Sequence, residues 1–137
     1  MRTCHLPTPL GGVGLWPARP RVDFGEIGTD PAWECGLGVK IGCAWSFVEN
    51  GQTVDGDMRL EVRVPWQFTR EEPSSNQCDL RSLVSHEIGH LLGLGHVDPM
   101  DEDAAQVMSE GLPPGFRGPR RLGRSDIRGV RLLYPLQ

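Results

Sequence analysis

The eleven residues His86-Glu87-Ile88-Gly89-His90-Leu91-Leu92-Gly93-Leu94-Gly95-His96 constrain this fold more than any other stretch of the chain. Successive residues of an α-helix are about 100° apart, so His86 and His90 fall on one face, one turn apart. Two imidazoles placed in that way can share one metal ion. Glu87 projects from the neighbouring stripe, close to such an ion but not obliged to bind it, which suits a general base acting on water. Gly93 is expected to take a positive φ and end the helix, and the turn would return His96 as a third ligand. Three protein ligands and one open position describe a catalytic zinc, whereas a structural zinc is normally closed by four. With Gly at about 7% of residues, and His and Glu at roughly 2% and 6%, the five fixed positions coincide by chance in on the order of 1 in 10⁵ such chains. A histidine satisfied within a helix accounts for His86 or His90 singly, and not for all three with the glycine.

The rest of the sequence supplies a small scaffold for that helix. Its 137 residues suffice for one domain with a single core. Residues 1–21 are rich in proline and glycine and read as an irregular lead-in, and residues 22–137 as the folded domain. Residues 21–27 are a short candidate strand, and 36–48 a second that holds Val39, Ile41 and Phe47. The clearest strand is 58–64, where Met58, Leu60, Val62 and Val64 alternate with Arg59, Glu61 and Arg63. Asn50-Gly51 signals a turn before it, and Pro65 ends its ladder. Asp79 is the expected N-cap of the histidine helix, which runs to about Leu92 and turns Leu80, Leu83, Val84, Ile88 and Leu91 to the core. Ser125 is the expected cap of a final short helix.

On these residues the chain resembles the metzincin zinc peptidases, and among them the matrixins, short bacterial members in particular. Metzincins carry a methionine turn beneath the zinc; Val107-Met108-Ser109 follows His96 at a suitable distance, whereas Met100 leaves little chain for the loop. Residues 122–134, LGRSDIRGVRLLY, are similar to the matrixin closing helix, roughly L-x-x-D-D-I-x-G-I-x-x-L-Y. Asp126 matches the second aspartate, which in the family braces the methionine turn, and Ser125 replaces the first. Residues 57–66 resemble the strand that precedes the zinc helix and ends in a tryptophan, and 36–48 would be the edge strand on which an extended substrate lies. The resemblance implies an α+β metzincin-like catalytic domain, with a small twisted sheet packed on the zinc-binding helix and a C-terminal helix after the methionine turn. It implies a zinc metalloendopeptidase in which His86, His90 and His96 hold one catalytic Zn²⁺, Glu87 is the general base, and Gly93, Met108 and Asp126 support the site. It also places an S1′ pocket near Leu112 and Pro113. Residues 1–21 hold no counterpart of the long helix and first strands of the family, so the domain is either a pared-down variant or, the favoured expectation, incomplete at its N-terminus.

Charge and composition bound the partners. A net charge of −4 offers no attraction for nucleic acid or acidic membranes, and no apolar run approaches the roughly 18 residues of a membrane span. A polypeptide substrate and a monomeric enzyme are expected. The first residues lack the apolar core of a signal peptide, although the resemblance implies a secreted, extracellular protein. Cys4, Cys35, Cys43 and Cys78 show no metal-ligand spacing, leaving two disulfides or reduced buried thiols both open. Asp98, Asp101, Glu102 and Asp103 offer the carboxylate oxygens that calcium takes, which makes Ca²⁺ a candidate second ion. Arg59 stands where animal matrixins place a histidine for a second, structural zinc, and Glu110 where some metzincins place a tyrosine ligand, so neither feature is expected. Two rival readings stay open: a non-catalytic zinc-binding remnant, and a structural zinc domain whose fourth ligand is Glu110 or a cysteine.

Overall fold

The computed structural model describes residues 21–27, 41–50, 52–97 and 106–135. Strands β1 (Val22–Gly25), β2 (Gly42–Glu49) and β3 (Gln52–Glu61) form a sheet in the order β1-β3-β2. The long β3 is central: β2 pairs with it antiparallel after the Asn50 turn, and β1 pairs with it parallel. Asn50 holds φ at 51°, a left-handed conformation that asparagine tolerates better than most residues. A second, parallel pair joins β4 (Trp66–Gln67) to β5 (Cys78–Asp79) and leads directly into helix α1 (Leu80–Leu91). After the Met108 turn, α2 (Arg124–Leu133) closes the described chain. This is the α+β arrangement expected from the sequence.

The core lies between the sheet and α1, where Met58, Leu60, Val64, Trp66, Cys78 and Leu83 are buried together. Helix α1 packs chiefly on β2 and then on β3. Val22 and Phe24 of β1 share the face of Met58 and Leu60 by register, yet stay 64% and 50% exposed because the helix does not reach them. Asp79 caps α1 as expected, its carboxylate accepting from Arg81 N. Cys43 and Cys78 are both buried and disulfide-bonded, so reduced thiols are excluded at these two positions. No helix among the described residues is long and apolar enough to cross a membrane.

Several elements depart from the sequence reading. The strand expected over 58–64 ends at Glu61. Glu61 is turned inward rather than out, fully buried, and its carboxylate gathers Ile27 N, Arg63 N and the Arg63 guanidinium. That cluster bends the chain, so Val62 swings into solvent at 52% exposure and Val64 returns to the core. Ile88 does not face the core: it is 46% exposed on the side of α1 away from the sheet. Helix α2 is capped by Gly123 and not by Ser125, which lies inside the helix. Gly123 has no side chain to offer, and the buried Gln106 Oε1 meets Asp126 N in its place. The lead-in up to residue 20, the start of the expected second strand at 36–40, Met100 and the acidic run 98–103 lie outside the described residues.

The hydrogen bonds from Arg63 hold the Glu61 carboxyl down at about 2, below its ordinary 4.5. A carboxyl depressed in the folded state contributes stability that is complete above the unfolded value and disappears as pH falls through the folded one. Thermal unfolding of the wild type should therefore weaken between pH 4.5 and about 2 more steeply than that of Glu61→Gln. Parallel curves for the two proteins would show that this carboxylate does not anchor the bend.

Candidate metal centre

The sequence at the end of α1 produces the turn that assembles the site. Gly93 adopts φ +88°, a conformation open to glycine and strained for other residues. Its N–H donates to His90 O, and Leu94 N donates to Gly89 O, the two bonds of a Schellman C-cap. The chain reverses there, and Val97 N is then fastened to Met108 O. His96 is thereby brought back beside the helix, as the sequence predicts.

The three Nε2 atoms form a nearly equilateral triangle: His86 to His90 3.0 Å, His90 to His96 3.0 Å, His86 to His96 3.1 Å. Each outer nitrogen is engaged by a group that can only accept. His86 Nδ1 faces Val107 O at 2.8 Å, His90 Nδ1 faces Leu94 O at 2.9 Å, and His96 Nδ1 faces Glu110 Oε1 at 2.9 Å. Each Nδ1 is therefore the donor of its ring, so in the neutral form of each imidazole the lone pair sits on Nε2 and faces the other two. Lone pairs facing one another at 3 Å do not hydrogen-bond; they repel unless a cation lies among them. Burial pushes the His86 imidazole down to about 4 and lowers His90 as well, so both stay neutral and able to ligate near pH 7. The donor set fits a divalent cation of the kind that imidazoles hold.

Glu87 stands on the adjacent stripe of α1, with Leu83 and Leu91, facing the sheet. Its carboxylate lies against Gly42 of β2, where any added Cβ would meet Oε1 at 2.5 Å. At 5% exposure, burial raises its pKa to about 7. A carboxylate in that range can take up and release a proton near neutrality. The edge strand β2 runs directly beside it, and Ser46 of that strand donates to His90 O.

The floor of the site is Met108, 1% exposed. Its thioether lies against Gly89, where a Cβ would collide with Sδ. Gly89 escaped the sequence reading; the only signal was a glycine inside a helix, a place that usually needs a packing reason. The Asp126 carboxylate accepts from Val107 N, Met108 N and Gly123 N at 2.8, 3.1 and 2.7 Å, which ties the methionine turn to the start of α2. Glu110 was assigned no supporting role from sequence, because nothing local marks it as the partner of His96. Its contact with the outer nitrogen places it behind His96 and not in the ligand position. Glu110 is engaged at the outer nitrogen of His96, and Cys43 and Cys78 are disulfide-bonded, so none of the three stands in a fourth-ligand position. Tyr134 donates to Leu92 O at the end of α1, away from the triad's Nε2 face.

Comparison with known proteins agrees with this geometry. The family model for matrixins matches residues 36–135. Metalloendoproteinase 1 of Glycine max is 42% identical over 105 residues, covering 77% of this chain and 32% of the relative. Metalloendoproteinase 5-MMP of Arabidopsis thaliana is 36% identical over 85 residues, or 58% of this chain and 22% of the relative. Matrix metalloproteinase-21 of Xenopus laevis is 30% identical over 132 residues, 88% of this chain and 20% of the relative. The chain thus spans about a third or less of the length of these curated relatives.

A carboxylate on the outer nitrogen of a metal-binding histidine fixes the ring and raises its basicity, and its loss typically weakens metal binding about 10–100-fold. Glu110→Ala should lower metal affinity by that order in competition with a chromophoric chelator. Unchanged affinity would mean that Glu110 does not orient His96.

Proposed function

The chain belongs to the matrixin family, and on that premise we propose that it is a zinc-dependent metalloendopeptidase acting on extended polypeptides. The observation that carries this reading is the triangle of bare Nε2 atoms beside a buried carboxylate whose pKa is raised to about 7. His86, His90 and His96 would hold one Zn²⁺, with Met108 beneath them as the floor. When bound, zinc supplies Lewis acidity, making water more acidic and drawing electron density from a carbonyl.

The chain's own residues carry the proton. Glu87 accepts it at a carboxylate oxygen as water attacks the peptide carbonyl, then returns it to the departing amine. Burial against β2 keeps that carboxylate's basicity high and excludes competing solvent. Among the described strands β2 lies at the edge of the sheet, where backbone N–H and C=O groups would suit an extended substrate, with the scissile bond alongside Glu87. All three candidate ligands and the proposed base come from one chain, so the proposed site needs no residue of a second subunit. The disulfide-bonded Cys43 and Cys78 favour an extracellular location, since such bonds persist in oxidising compartments.

Glu87→Gln keeps the shape of the side chain and removes its basicity. The variant should bind zinc as the wild type does while cleavage of a quenched peptide falls about 10²–10⁴-fold. Chelation should abolish wild-type cleavage and added zinc restore it. Full activity in the glutamine variant would overturn the proton-transfer role.

A further inference from the structure

Asp79 does more than cap α1. Its fully buried carboxylate accepts from Ser82 Oγ at 2.6 Å and takes a two-pronged contact from Arg120, Nε to Oδ2 and Nη2 to Oδ1, each at 2.8 Å. The same guanidinium donates to Thr69 O at 3.2 Å and Arg70 O at 3.4 Å. Arg120 ends the segment that leaves the Met108 turn, and Asp79 begins the helix that carries His86 and His90. One planar group therefore ties three parts of the chain together, in a geometry that lysine cannot copy.

What this pair holds in place borders the metal centre. Residues 107–110 touch the triad through Val107 O and Glu110. From there the chain returns along α1: Gly118 sits against Leu112 and Ser82, so tightly that a Cβ would meet Leu112 Cδ1 at 2.6 Å and Ser82 Cβ at 2.9 Å. Ser82 is one turn before His86 on the ligand stripe of the helix. Gly115 N donates to Gln77 O, pinning the middle of the segment just ahead of β5's Asp79. Residues 112–118 thus form a wall along the first turn of α1, the turn that leads to His86, anchored at one end by His96–Glu110 and at the other by Asp79–Arg120.

We propose that the Asp79–Arg120 pair is a positioning clamp that sets the distance between this wall and the metal-binding helix, and so selects the substrate side chain accepted beside the metal. The inference rests on the peptidase reading. Arg120 touches no reacting atom. Its loss should let the wall move, altering which side chain fits while leaving the triad and Glu87 in place.

The test compares two peptides that differ only in the residue after the scissile bond, alanine in one and leucine in the other. Wild type, Arg120→Ala and Arg120→Lys are each loaded with zinc and their metal content measured. In Arg120→Ala the ratio of KM for the two peptides should shift about tenfold, the scale on which pocket contacts discriminate side chains, with kcat for the preferred peptide within about twofold. Arg120→Lys, which keeps a charge against Asp79 but loses the fork, should fall between. Should the alanine variant fail to fold or to hold zinc, the lysine variant decides by the same ratio. An unchanged ratio in a folded, zinc-loaded variant, or an equal fall for both peptides through kcat, overturns the clamp and leaves the peptidase reading intact. No cleavage by the zinc-loaded wild type would overturn both.

Discussion

The Asp126 carboxylate is 1% exposed, and the methionine turn beside the three histidines leans on it. A buried carboxylate is costly unless its oxygens are satisfied, and here three backbone N–H groups do so: Val107, Met108 and Gly123. Those three donors belong to two different parts of the chain, the methionine turn and the start of α2. Meeting the needs of one side chain therefore fixes the turn against the helix. The next atoms along follow: Val107 O orients His86, Met108 O receives Val97 N, and the Met108 thioether fills the space that Gly89 leaves open.

The ligand triad is built from outside inward. Three imidazole nitrogens converge because three unrelated acceptors hold the opposite sides of the rings. His86 is oriented by the methionine turn, His90 by Leu94 O at the end of its own helix, and His96 by the exposed carboxylate of Glu110. The two carbonyls come from backbone that is itself hydrogen-bonded, so His86 and His90 are rigidly placed. His96 depends on an exposed side chain and is the softest of the three. Glu87 owes its raised pKa to a different contact, burial between α1 and β2. Glu87 and the three histidines are thus supported by separate parts of the fold.

Local rules served well wherever neighbouring residues carried the constraint. The Asp79 cap, the Asn50 turn and the positive φ of Gly93 all follow from the chemistry of one or two residues. The alternation over 58–64 gave the right inward face at Met58 and Leu60 and then failed at Val62. The failure has a tertiary cause: Glu61, polar and expected outside, is drawn in by Ile27 N and Arg63 and ends the strand. Ile88 reads as core on any helical wheel, but α1 is covered by the sheet along the Leu83–Glu87–Leu91 stripe, and Ile88 lies outside it. Ser125 is a good cap by composition. It lost the place because Asp126, one residue on, reaches back to Gly123 N and sets the start of the helix.

The sequence by itself determined the three histidines that converge, the glutamate next to the first of them and the turn that gathers them, because each depends on spacings of a few residues along one helix and its end. Only the tertiary structure decided which atoms stand behind the ligands and what borders them. Glu110 behind His96, Gly89 under Met108, and Arg120 on Asp79 join residues 14 to 41 positions apart. No local periodicity relates such pairs. They meet because the chain turns back on α1, and those partners are chosen in space rather than along the sequence.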